Sequence, residues 1–234
     1  MRTRALQIAQ IWWLAPFLLY MDKLIGRLVA RLDELSIRDN TMLVFLGDNG
    51  TSPAMSSRFN GAEYRGGKGS TTMRGTHVPL IVNWPARGRA GSVTADLVAA
   101  VDVLPTLCEA AGVPVPDGAD GTSFLPQVRG ELCEPRDWIY SWYSPRLAAE
   151  RTVREYAFDQ RFKLYRTGEF FDLVADPDER RSLPVESLPP QAAAACVKLT
   201  KALDRFASAR LPELDHGLPP ASRRPARALD PTDK

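Results

Sequence analysis

Asp48-Asn49-Gly50 closes the apolar run Thr41-Met42-Leu43-Val44-Phe45-Leu46-Gly47, and Arg65-Gly66-Gly67-Lys68-Gly69 follows on a glycine-rich stretch. A carboxylate and an amide at a strand end offer hard oxygen ligands to a divalent cation. A lysine between glycines offers a mobile positive charge to an oxyanion. Cation and lysine together fit an anionic ester as substrate. Asp-Asn-Gly is also a common turn former, so the triplet alone leaves both readings open. His77, one of two histidines in the chain, precedes Val78-Pro79. It could act as a general acid or substrate contact, although bonding the backbone at a strand start is the commoner role. His216 falls in a polar tail and takes no part.

The elements that must position these residues follow from pattern. Met21, Leu24, Ile25, Leu28, Val29, Leu32 and Leu35 recur at helical spacing opposite Asp22, Lys23, Arg27, Arg31 and Glu34. That is an amphipathic helix built to pack on a sheet. Residues 41–46 and 78–83 have the continuous apolar character of buried strands, as in a parallel sheet covered on both faces. Residues 52–72 are polar and glycine-containing without periodicity, and are expected to form one long loop of functional kind. A helix is expected over residues 102–111, with Pro105 in its first turn and Gly112 as its stop.

After the Pro- and Gly-rich residues 113–121 the character changes. Short segments at 138–142, 155–158, 162–166 and 170–173 predict a small antiparallel sheet. An alanine-rich helix is expected over 190–209. The chain is thus divided into an irregular or helical N-terminus (1–20), an α/β portion (21–130), a small antiparallel sheet plus helix (131–210) and a disordered tail (211–234). Arg2 and Arg4 precede an apolar stretch, but Gln7, Gln10 and Pro16 interrupt it, so it makes neither a convincing signal peptide nor a membrane span. Localisation, cytoplasmic or periplasmic, stays open.

At 234 residues the chain can bury one substantial core with a small appended subdomain. A hydrophobic fraction of 44% and a charged fraction of 25% are ordinary for a globular protein. A net charge of +2 gives no reason to propose nucleic acid as a partner. Three cysteines, Cys108, Cys133 and Cys196, show no metal-type spacing and imply no disulfide framework.

Taken in order, the strand with Asp48-Asn49-Gly50, the Lys68 loop, His77-Val78-Pro79-Leu80-Ile81-Val82-Asn83-Trp84-Pro85, Val101-Asp102-Val103-Leu104-Pro105-Thr106-Leu107 and Asp120-Gly121-Thr122-Ser123-Phe124-Leu125-Pro126 resemble the sulfatase family, over about residues 21–183. The Lys163-Leu164, Phe171-Asp172-Leu173, Asp176-Pro177 and Glu179 pattern is similar to the C-terminal subdomain of that family. The resemblance implies a partial α/β domain of the alkaline-phosphatase-like superfamily with a small C-terminal antiparallel sheet subdomain. It implies Asp48 and Asn49 as ligands of Ca2+ or Mg2+, and Lys68 as the lysine that contacts the sulfate group. It also implies a small-molecule sulfate ester or sulfated glycan as substrate, with a phosphoester or phosphonate ester as the alternative.

Sulfatases use a Cys or Ser within Cys/Ser-x-Pro-x-Arg, converted to formylglycine, as nucleophile. The sequence holds no such motif: in Cys133-Glu134-Pro135-Arg136 the arginine falls one residue early and the motif follows the metal pair instead of preceding it. Cys108 reads as core packing, and Thr122 and Ser123 as a structural turn. A lone carboxylate and amide rarely hold a hard cation. The expectation is therefore a truncated form, inactive alone, that binds metal only with further ligands. It would need an N-terminal half, or a homo-oligomer, to complete it. A non-catalytic domain binding an anion or a partner is the remaining alternative.

Overall fold

The structure is a computed structural model that describes residues 2–59, 61–144 and 153–210. Two compact units emerge, residues 1–95 with 100–134 and residues 96–99 with 135–234.

The first unit opens with α1 (Arg2–Glu34), which carries Pro16 inside it. The amphipathic pattern lies within this helix, yet only part of its apolar stripe is covered. Ile25, Val29 and Leu32 are half-buried, while Leu24, Leu28 and Leu35 are exposed. Ser36 ends the helix at φ 56°, with the Ile37 N–H donating to Leu32 O at 3.1 Å, a left-handed cap that satisfies a terminal carbonyl.

Strand β1 (Leu43–Leu46) then leads to the candidate site, followed by β2 (Ser56–Phe59), β3 (Ala62–Arg65), the single turn α2 (Met73–Thr76) and β4 (Leu80–Asn83). Two expectations are corrected here. Strands β1 and β4 pair antiparallel, from Leu43 opposite Asn83 to Leu46 opposite Leu80, so the described sheet of this unit is not parallel. Residues 52–72 are also not one loop, because β2 and β3 form a hairpin from Ser56 opposite Arg65 to Phe59 opposite Ala62. The Asn-Gly step at 60–61 is a strong hairpin signal, and Gly61 has the φ of 80° that such turns demand.

Helix α3 (Val103–Ala111) occupies the expected residues and stops at Gly112, whose φ of 69° lets its N–H reach the last carbonyls. The Asp102…Thr106 and Gly-Thr-Ser-Phe motifs prove to be halves of one buried network. The Thr122 N–H donates to Asp102 Oδ1 at 2.7 Å, and the Phe124 N–H to Thr106 Oγ1 at 3.0 Å. Thr106 in turn donates to Asp102 O at 2.7 Å. The short helix α4 (Leu125–Arg129) follows from this anchored turn.

The second unit is a four-stranded antiparallel meander, β5 (Ile139–Tyr143), β6 (Arg154–Phe158), β7 (Phe162–Tyr165) and β8 (Phe170–Asp172), in spatial order 5-6-7-8. It is the predicted small sheet. Helix α5 (Pro190–Arg205) lays Ala192, Ala195, Leu199, Ala202 and Leu203 on Ala157, Phe162, Leu164 and Phe170 to make the core. On the other face Lys163 is buried and donates to Glu179 Oε1 at 2.8 Å, under the Tyr156 ring at 4.0 Å. Tyr165 donates to Glu179 Oε2 at 2.5 Å. Burial pulls the Lys163 ammonium down to about 8, an effect that the attraction of Glu179 only partly offsets. Buried Glu155 is gripped by Arg210, with contacts at 2.8 and 2.9 Å, and by Arg166 at 3.3 Å. Tyr140 is pushed up to about 12, first by burial and then by Glu155. The expected tail, 211–234, lies outside the described residues.

Candidate functional site

The antiparallel pairing of β1 with β4 decides where the chemistry-bearing residues meet. It sets the end of β1 beside the start of β4, so the Asp48 turn and the His77-Val78-Pro79 segment lie at one end of the ribbon. The Gly47 N–H donates to Pro79 O at 3.0 Å, and the Gly50 N–H to Gly75 O at 2.9 Å. The glycine-rich loop joins the same knot, because the Lys68 N–H donates to Thr51 O at 2.9 Å. The loop that carries Lys68 is therefore fastened three residues beyond Asp48.

Glycine makes this closeness achievable. A Cβ at Gly50 would strike the Arg74 carbonyl oxygen, and one at Gly75 would strike the Ser70 carbonyl oxygen. Both collisions are with backbone, which cannot swing away as a side chain can. Buried Thr71 lies between the Lys68 loop and α2.

Within the knot, the Asp48 carboxylate accepts from the Asn49 N–H at 2.9 Å and from Asn49 Nδ2 at 2.5 Å. Both carboxylate oxygens thus accept from Asn49, one from its backbone and one from its side chain. Asp48 and Lys68 are exposed and Asn49 is half-buried. Lys68 has no acidic partner among the described residues. The neighbouring arginines are engaged: Arg65 Nε donates to Pro53 O at 2.7 Å, and Arg74 Nη1 donates to Arg65 O at 3.1 Å while its guanidinium lies 4.7 Å from the Tyr64 ring centre. His77 caps α2 through its backbone, its N–H donating to Met73 O at 2.9 Å, and its imidazole is exposed.

The donor type of Asp48 and Asn49 suits a hard cation, but their number does not. Calcium takes about six to eight oxygen ligands, and among the described residues no group of three or more His, Cys, Asp or Glu could hold a metal ion. By themselves these residues do not form a cation cage. Sequence reasoning passed over residues 70–76, which do much of the positioning. The available signal was the glycine spacing itself, 50, 66, 67 and 75, since each of these positions leaves no room for a side chain.

The sulfatase family model matches residues 15–113, and the model for the C-terminal region of N-sulphoglucosamine sulphohydrolase matches residues 71–208, more than half of the chain. This chain belongs to the sulfatase family. Among the similar sulfatases, steryl-sulfatase of Mus musculus is 29% identical over 208 residues, covering 72% of this chain and 33% of its own length. N-acetylglucosamine-6-O-sulfatase of Bacteroides thetaiotaomicron is 31% identical over 177 residues, covering 70% of this chain and 30% of its own. The chain thus spans about a third of the length of these relatives.

Solved structures show the same fold. A protein in complex with its substrate D-glucosamine-2-N,6-O-disulfate aligns at TM-score 0.61 and 24% identity, covering 88% of this chain and 41% of its own. The phosphonate monoester hydrolase of Agrobacterium radiobacter aligns at TM-score 0.62 and 24% identity, covering 81% and 39%. The sulfatase-type α/β fold with its small C-terminal antiparallel sheet is the one the sequence implied.

Proposed function

We propose that this chain carries the sulfate-contacting part of a sulfuric ester hydrolase. In that reading Lys68 faces the sulfuryl oxygens, and Asp48 and Asn49 contribute oxygen ligands to a Ca2+ or Mg2+ ion completed by donors beyond the described residues. The observation that carries it is Lys68, without an acidic partner among the described residues, on a loop bonded at 2.9 Å to the segment that follows Asp48. An exposed lysine held in place by its backbone, with engaged arginines around it, is a cation that an anionic ester could meet. Charge that builds on the sulfuryl oxygens in the transition state is compensated by such a fixed donor, and losing one typically costs about 100- to 1000-fold in rate. His77, at the same end of the ribbon, is proposed as a further substrate contact.

Sulfated glycans and small sulfate esters are the substrate class this reading favours. It draws on the amino-sugar sulfatase among the relatives and on the neighbour solved with a glucosamine disulfate. A phosphonate monoester is the second reading, supported by the fold match to the Agrobacterium hydrolase. Without a Cys/Ser-x-Pro-x-Arg motif in its sequence, the chain alone should turn over neither ester above background, since nucleophile and charge-stabilising groups act as a unit.

Amide chemical shifts measured during titration with sulfate, methylphosphonate and Ca2+ test the site. Sulfate should move the amides around Lys68, a response Lys68→Ala abolishes, whereas Ca2+, offered only two ligands here, should move those around Asp48 weakly and only at tens of millimolar, a response Asp48→Ala abolishes. Shifts elsewhere, or none at tens of millimolar, would refute the assignment. Stronger shifts with methylphosphonate would favour the second reading.

A further inference from the structure

The β2–β3 hairpin grows directly out of the candidate site. Its base is closed by the Gly66 N–H donating to Met55 O at 2.9 Å, beside the 2.9 Å bond from the Lys68 N–H to Thr51 O. The hairpin therefore lies between Asp48 and Lys68 in sequence and shares their backbone knot in space. On β3, Tyr64 is a large aromatic side chain left 39% exposed. In the hairpin register it stands opposite Ser57, with Ala62 two residues away on the same face. Both are small and exposed, so the ring has low neighbours on its own sheet.

Arg74 fixes that ring. Its guanidinium lies 4.7 Å from the ring centre, and its Nη1 donates to Arg65 O at 3.1 Å. The stem of the same side chain packs on the glycine-rich loop, because a Cβ at Gly67 would come within 2.6 Å of Arg74 Cβ. One arginine thus joins the Tyr64 ring to the residue beside Lys68. At most about 14 Å of extended chain separates Tyr64 from Lys68.

The charge of this segment is one-sided. Residues 51–76 hold Arg58, Arg65, Lys68 and Arg74 against Glu63 as the one acid, and Glu63 accepts from Ser56 Oγ at 2.7 Å. An ordered, part-exposed aromatic ring among cations suits a ligand that pairs an apolar face with an anionic group. The electron-rich face of the ring attracts the slightly positive C–H groups of a sugar. A sulfated sugar offers both features.

We propose that Tyr64, held by Arg74, is a specificity-determining residue that stacks against the ring of a sulfated sugar whose sulfate meets Lys68. This rests on the sulfate reading of Lys68 and narrows it from sulfate esters in general to sulfated saccharides. Because Arg74 already orders the ring, binding costs little further side-chain entropy. Aromatic stacking of this kind contributes roughly 3- to 10-fold in affinity.

The test is an NMR titration of the full chain with N-acetylglucosamine 6-sulfate, methyl sulfate and inorganic sulfate. All three should move the amides around Lys68. Only the sugar should show saturation transfer between the Tyr64 ring protons and its own ring C–H protons, and it should bind roughly 3- to 10-fold tighter than methyl sulfate. Tyr64→Ala should erase that advantage and leave the inorganic sulfate response in place, whereas Tyr64→Phe should keep the advantage. A sugar that binds no tighter than methyl sulfate, or shows no transfer from Tyr64 in the unaltered chain, overturns the proposal whatever the variants do. So does an undiminished sugar preference in Tyr64→Ala. Silence of the Lys68 amides toward inorganic sulfate defeats the sulfate reading and this platform with it, while a normal sulfate response without contact at Tyr64 defeats the platform alone.

Discussion

The two units of this chain solve the same problem with opposite completeness. The C-terminal unit closes its meander with α5, buries Phe170, Leu199 and Ala157 fully, and supports two buried charges, Lys163 and Glu155, with partners on several sides. The N-terminal unit carries the residues that could meet a sulfate ester, yet its ribbon has exposed Ile81 and Leu46 and its first helix exposed Phe17 and Leu19. Its order comes from backbone bonds and glycine contacts around the Asp48–Lys68 knot and from a smaller set of buried residues, Trp84, Cys108, Phe124 and Leu125, beside the Asp102–Thr106 network. The candidate chemistry proposed for Asp48, Asn49 and Lys68 sits where packing is least complete, and the closed core sits where no candidate chemistry is proposed. The shallow groove of the C-terminal unit illustrates the latter. Its Arg161 is paired with Asp172 and its Lys198 with Asp159, both within 2.9 Å, so its charge is balanced internally.

The largest way to break the comparison is Glu179→Ala. It would remove the Glu179 contacts of buried Lys163 and Tyr165, and removing one member of a buried pair costs about 3–5 kcal/mol. Denaturant unfolding followed by a C-terminal-unit probe should shift by that amount, while the amide shifts of the Asp48–Lys68 knot stay in place. A smaller effect is expected from Gly75→Ala, which drives a Cβ into the Ser70 carbonyl. A cost of about 1–3 kcal/mol, of the size seen for local backbone strain, should appear as displaced amide signals around Gly50 and Lys68, with the C-terminal transition unchanged. Movement of both units by either variant would dissolve the distinction.

The smallest expected effect is on pH. The folded pKa of Lys163, about 8, lies below its ordinary 10.5, so between the two the unfolded chain holds the extra proton. Raising the pH through that window therefore favours the folded state. Tyr140 acts with opposite sign above its ordinary 10.0, because its folded value of about 12 makes the unfolded chain lose its proton first. Stability of the C-terminal unit should rise from about pH 8 to about pH 10 and then level or fall. Lys163→Met should flatten the rise, as thermal unfolding across that range would show.

Much of this contrast was legible in the sequence on the C-terminal side. The short strand segments and the alanine-rich helix follow period and turn chemistry, and the meander arrived where they placed it. What could not be read there was the burial of Lys163, Glu155 and Glu179, because charged residues are buried only when the fold supplies partners, and those partners lie 11 to 55 residues away. On the N-terminal side the strands and α3 were visible as apolar runs and a glycine stop. The direction of β4 was not, since a continuous apolar run serves either orientation. The β2–β3 hairpin was lost because its four-residue strands are short and mostly polar, which left the Asn-Gly step as the clearest local sign. Asp48, Asn49 and Lys68 stood out by type and spacing. Residues 70–76 did not, because their work is done by backbone carbonyls and missing side chains.

Hydrogen exchange of the full chain, resolved along the sequence, tests the contrast most directly. Amides of β6, β7 and α5 should exchange only through global unfolding of their unit, whereas those of β1, β4 and residues 15–34 of α1 should exchange orders of magnitude faster. Equal protection of the two sets would contradict the account, because it would mean the site-bearing ribbon is as fully packed in this chain alone as the C-terminal core.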